Sequence, residues 1–173
     1  MCKSQNGYYK SLERVANLIE LLISCHPQGF SILLGEAESP DSKMIHEMMN
    51  TKRVPMPDDF KPTTRSDETE AERIVYDREY FDESVKLAGG WAHVNLATQD
   101  FKKADKRYWG IVVDYVKFVS NPTSRYLSKL NFVATRYGVS TRTVTRYRQE
   151  FANKLAYVIL LPDSERSEFC ARY

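Results

Sequence analysis

The side chains best suited to chemistry lie late in this chain. Arg142 stands three and four residues before Thr145 and Arg146, and Gln149 four and three residues after them, the spacing that puts side chains on one face of an α-helix. Their types suit the edges of base pairs. A guanidinium can pair bidentately with guanine, a glutamine amide can do so with adenine, and threonine can meet a phosphate or a thymine methyl. Arg142 and Arg146 are the expected base readers. Ser140, Thr141, Arg136 and Arg148 are expected nearer to phosphates, while Arg125 and Lys129, before or within the preceding helix, would reach the backbone of the duplex. The plainer alternative is the solvated face of an amphipathic hairpin.

Two short helices around a tight turn would position such a face. In the run from Leu130 to Tyr147, Ala134 is small where the helices must approach, and Gly138 can take the left-handed conformation that ends the first helix. Val139 would plug the space beneath the turn, Val144 and Tyr147 would continue the inner face, and Ser140 or Thr141 could cap the second helix. The spacing of Val133-Ala134, Gly138-Val139, Val144 and Tyr147, with Ser-Thr-Arg-Thr opening the second helix, resembles the helix-turn-helix of DNA-binding regulators. Together with a preceding helix from about Lys102 to Val119 and a final helix running to Leu160, this last third of the chain resembles the fourth region of sigma factors and the sigma-like regulators encoded by bacteriophages. That resemblance implies a transcription regulator of phage or prophage type. Its helix 141–160 would read the major groove of double-stranded DNA, and it would contact RNA polymerase in an antitermination or sigma-like role.

The charge distribution agrees with a polyanionic partner for the same region. Residues 1–100 carry 11 Lys/Arg against 17 Asp/Glu, whereas residues 101–161 carry 12 against three. The net charge of +2 hides this asymmetry. With 173 residues, 42% hydrophobic and 28% charged, the chain fits one globular domain, or one with a small appended module, and excludes fibrous or wholly disordered classes. Cys2, Cys25 and Cys170 form neither a disulfide framework nor a CxxC zinc pattern. No apolar run spans a bilayer and no signal-like stretch opens the chain, so a cytoplasmic protein of a bacterial host cell, close to the nucleoid, is expected.

Elsewhere the apolar periodicity of Leu12, Val15, Leu18, Ile19 and Leu22 predicts a helix over 11–25, ended by His26-Pro27-Gln28-Gly29. Phe30 to Leu34 reads as a short strand or buried extended segment. Residues 35–65 read as irregular apart from a short helix over 43–50. A helix is expected from near Ser66, with Asp67, Glu68, Glu70 and Glu72 at its positive end and Ile74, Phe81, Val85 and Ala88 inward. At Gly89-Gly90 this helix could stop, kink or admit a neighbouring backbone. A further helix is expected from about Asp100 to Val119. The predicted fold is therefore mostly α, a helical bundle with a C-terminal helix-turn-helix and little or no sheet. Its predicted parts are 1–65, an N-terminal helix with an irregular linker and possible partner contacts; 66–161, a helical domain with the helix-turn-helix at about 124–160; and a tail, 162–173.

Other chemistry is poorly represented. Cys25-His26 with His46 or His93 does not complete a zinc site, and the acids from Asp67 to Glu72 are explained by a helix start. Without a phosphate loop, nucleophile elbow or ordered triad, no enzymatic role, metal or cofactor is expected. Trp91 and Trp109 read as core aromatics. The apolar stripe through Phe151, Leu155 and Val158 needs a partner surface, either the helix near 101–119 or the mate in a homodimer. Two other functions fit the same features: a DNA-packaging protein resembling phage small terminase subunits, and a helix-turn-helix turned to protein binding.

Overall fold

The computed structural model describes residues 2–52, 69–119 and 126–172, and among these every regular element is helical. Helix α1 (Cys2–Cys25) ends where the periodicity predicts but begins nine residues before the expected start at 11, with Val15, Leu18, Ile19 and Leu22 all inside. Its last turn closes as the His26 amide donates to the Leu22 carbonyl at 3.0 Å. Phe30 to Leu34 belongs to a helix, α2 (Gly29–Leu34), rather than a strand. Ile32, Leu33 and Leu34 are buried together there. So short an apolar run has the same pattern in either conformation, and it is the packing against α1 and α5 that selects the helix.

Helix α3 (Ser42–Lys52) starts beneath Asp41, whose carboxylate accepts from the Met44 amide at 2.8 Å. Helix α4 (Glu70–Leu87) opens on a capping box in which the Thr69 hydroxyl accepts from the Glu72 amide and the Glu72 carboxylate from the Thr69 amide. The expected start near Ser66, with Asp67 and Glu68, lies outside the described residues. A buried polar bridge ties α3 to α4: His46 Nδ1 donates to Asp77 at 2.6 Å and its Nε2 accepts from Asn50 at 3.1 Å. At Gly89 and Gly90 the chain stops and restarts, because both take positive φ, 94° and 86°, a conformation no helix interior holds.

The helix expected from Asp100 to Val119 is three elements. Helix α5 (Trp91–Ala104) ends at Asp105, which then caps α6 (Lys106–Asp114) by accepting from the Tyr108 amide at 2.9 Å. A π-helical turn, 115–119, follows. Helix α7 (Tyr126–Tyr137) and the long α8 (Thr141–Leu160) come next. The tail folds as α9 (Asp163–Ala171), held by the buried Arg166, which pairs with Asp100 at 3.1 Å and Asp163 at 2.8 Å.

The main core draws on α1 through α6 and on α8, so residues from both sides of the boundary expected at 65/66 share one interior. Phe151 of α8 is fully buried at its centre, with the rings of Phe30, Phe101, Tyr108 and Trp109 at centroid distances of 5.5–6.3 Å for those nearest to it or each other. The apolar stripe of α8 is thus covered by its own chain, by α1, α5 and α6. A second, smaller cluster joins Ile111, Val119, Leu130, Val133, Ala134 and Val144 under the α7–α8 turn. No helix among the described residues is long and apolar enough to cross a membrane.

Candidate nucleic-acid interface

The second cluster is what holds α7 and α8 as a helix-turn-helix. Val133 and Val144 are fully buried against each other's helices, Ala134 lies at their close approach, and Val139 and Tyr147 pack at the edge. Gly138, at φ 63°, ends α7. Its amide donates to the Thr135 carbonyl at 3.2 Å and the Val139 amide to Ala134 at 3.0 Å, the paired bonds of a Schellman ending. Ser140 caps α8, its hydroxyl accepting from the Thr143 amide at 3.1 Å. Gly138→Val should therefore lower stability by about 1–2 kcal/mol, because a β-branched residue is strained at this φ. Thermal denaturation measures it, and an unchanged Tm would contradict the left-handed turn.

Neighbouring elements brace the turn. The Tyr137 hydroxyl donates to Asp114 at 2.8 Å, and the Arg107 guanidinium donates to the Tyr137 carbonyl. Burial and the hydrogen bond to Asp114 push the Tyr137 phenol above its ordinary pKa, so it stays a donor. Neither α6 partner was indicated by the sequence pattern, since both act through positions outside the motif.

Around α8 the predicted residues divide. Thr141, Arg142, Thr145, Arg146 and Gln149 line one shallow depression on its solvent side. Arg142, Arg146 and Gln149 are exposed there, and Arg146 sits 5.6 Å from the centre of the Tyr147 ring. Ser140 is exposed at the same end, its hydroxyl engaged as the cap. Arg136 lies on the last turn of α7, 54% exposed and 3.2 Å from Asp114. Lys129 is half-buried on α7. Arg125 lies outside the described residues.

Arg148 departs from expectation. Its guanidinium donates to both Glu20 oxygens, at 2.9 and 2.7 Å, and to the Ser24 hydroxyl at 3.0 Å. Only 15% of its side chain is exposed. At about 100° per residue, position 148 falls roughly 110° around α8 from the centre of the Arg142–Gln149 face and close to the buried one. It is thus a strut between α8 and α1 and is unavailable to a phosphate. Burial opposes the Glu20 charge, but the hydrogen bonds from Arg148 and Ser24 and the charges of Arg148 and Lys52 outweigh it, holding this carboxyl at about 2.

The histidines considered for metal are otherwise engaged: His26 Nδ1 accepts from the Gln28 amide at 2.9 Å, and His93 Nε2 donates to the Ile159 carbonyl at 2.6 Å. Among the described residues no three His, Cys, Asp or Glu side chains gather as a metal site. No family model, curated protein or solved structure matches the chain.

Proposed function

We propose that this chain is a sequence-specific DNA-binding transcription regulator, of phage or prophage type, that reads the major groove with α8. One observation carries the reading. Arg142, Thr145, Arg146 and Gln149 occupy one solvent face of a capped helix whose opposite face is locked in two cores. Such a helix can enter a groove without disturbing its own packing, and its guanidiniums and amide are chemically suited to base edges. Basic side chains nearby would neutralise phosphates and make binding strongly salt-dependent. No catalytic step is part of this role.

A second macromolecular contact, to RNA polymerase in an antitermination or sigma-like role, is supported by α4. Glu72, Glu79 and Glu83 are exposed along one side of it, an acidic stripe suited to a basic protein patch rather than to DNA.

Selection of bound sequences from a random duplex library, followed by salt titration on the enriched site, tests the proposal. A discrete motif with a steep salt slope is expected, and absence of enrichment would overturn DNA reading. On that site Arg142→Ala and Arg146→Ala should each cost about 1–3 kcal/mol and relax base preference, whereas Lys129→Ala should weaken specific and random DNA nearly alike. Equal losses on both DNAs for all three variants would remove the assignment of Arg142 and Arg146 as readers.

A further inference from the structure

Further along α8 from the Arg142–Gln149 face, where α5, α6, α8 and α9 converge, lies a cavity of about 250 Å³, open on one side. Its walls are the rings of Phe101, Tyr108, Tyr157 and Phe169, and Asn153 and Lys154 stand exposed at its mouth. A dry cavity of about 150 Å³ can take benzene, so this one has room for two fused rings. The Tyr157 and Phe169 rings already meet edge-on at 5.6 Å, which makes α9 one wall of the slot. Two acids stand near the mouth, Asp105, whose carboxylate caps α6, and Glu150, which lies 3.4 Å from Lys154 across an exposed i,i+4 pair. The Lys154 ammonium is the cation nearest the opening, 4.8 Å from the centre of the Tyr108 ring.

We infer that this cavity is a binding site for a planar aromatic carboxylate of one or two rings, and that its occupancy is felt by the DNA-reading turn of α8. The rings would fill the slot and the carboxylate would take Lys154 from its weak surface pair with Glu150, with the Asn153 amide beside it. The link to the reader is short. The Tyr108 hydroxyl donates to the Tyr147 carbonyl at 3.0 Å, and the two rings lie 4.6 Å apart. Lys154 also lies 5.9 Å from the Tyr147 ring, over which Arg146 lies as well. Burial raises the Tyr108 phenol above its ordinary pKa, so it remains a donor throughout the neutral range. A ligand that shifts Tyr108 or withdraws Lys154 therefore acts on the backbone and ring next to Arg146. This second part rests on the DNA-reading proposal, whereas the site itself does not.

The test is calorimetric titration of the 173-residue chain, without DNA, using 2-naphthoate and the neutral 2-naphthamide. Saturable binding at one site is expected, with naphthoate the tighter. Ala104→Phe, which fills the slot from α5, should weaken both compounds at least about tenfold, and Lys154→Gln should remove the preference for naphthoate while leaving naphthamide unchanged. No saturable binding of either compound overturns the site. Undiminished binding to a folded Ala104→Phe variant overturns its location, and if that variant does not fold, an unaltered naphthoate preference in Lys154→Gln does so. The enriched duplex is then titrated with and without naphthoate, where a change in affinity of about fivefold or more is expected. An unchanged affinity overturns the coupling. A chain that binds naphthoate but no duplex at all overturns the DNA reading and leaves the site standing.

Discussion

Phe151→Ala should cost about 3–5 kcal/mol, the usual loss when a fully buried aromatic is cut back to a methyl group. Phe151 is 0% exposed and belongs to the helix that carries the exposed Arg142–Gln149 face, yet its ring packs among Phe30 of α2, Phe101 of α5 and Tyr108 and Trp109 of α6. Its removal opens a cavity where four helices meet, and the neighbours are aromatic plates that cannot readily collapse into it. For a chain of this size the Tm should fall on the order of 10 °C. Denaturant unfolding gives the free energy directly. A loss below about 1 kcal/mol would mean that the aromatic cluster is not what fastens α8 to the body.

Glu20→Gln should be the next largest loss, about 1.5–3 kcal/mol at neutral pH, because it leaves the Arg148 guanidinium largely buried without its charged acceptor. With 27% of the Glu20 side chain exposed, solvent screens part of the interaction and keeps the figure within that range. The pH dependence distinguishes this cause from simple packing. Glu20 titrates at about 2 when folded and has an ordinary value of 4.5. Its folded pKa is depressed, so its contribution is complete above the unfolded value and is lost as pH falls from 4.5 toward 2. The gap between wild type and Glu20→Gln should be wide at pH 7 and narrow at pH 3. An equal gap at both would show that the ion pair is not its source.

The helical class and the helix-turn-helix were legible because they rest on long, regular signals. In α1 the apolar residues repeat at 15, 18, 19 and 22, and in the α7–α8 turn Ala134, Gly138, Val139 and Val144 each have a distinct steric task. The misread elements lack such signals. Helix α2 is six residues long, too short for a period to emerge. The break at Asp105 is hidden because Phe101, Ala104, Tyr108 and Ile111 keep helical spacing across it, while only the Asp105 cap reveals a new start. Helix α9 is mostly polar and is fixed by Arg166 reaching Asp100 on α5, a contact between residues far apart in the chain.

Among the site residues, Arg142, Thr145, Arg146 and Gln149 share a face simply because of their spacing. Arg148 was misplaced by its type: an arginine beside readers suggested a phosphate contact, although its angular position already pointed inward. Its acceptor, Glu20, sits on another helix, so tertiary packing alone could identify the pair.

Helix α8 is divided around its axis. Arg142, Thr145, Arg146 and Gln149 meet solvent on one side, whereas Val144, Phe151, Leu155 and Ile159 are anchored inside on the other. The residues proposed to set specificity and those that hold the fold are therefore different letters of the same helix. The positions at 142, 145, 146 and 149 form a cassette that can be rewritten with little thermodynamic penalty. A library randomised at those four sites should yield mostly folded proteins, and under the proposed DNA-reading role its members would differ in the sequences they bind rather than in their interior.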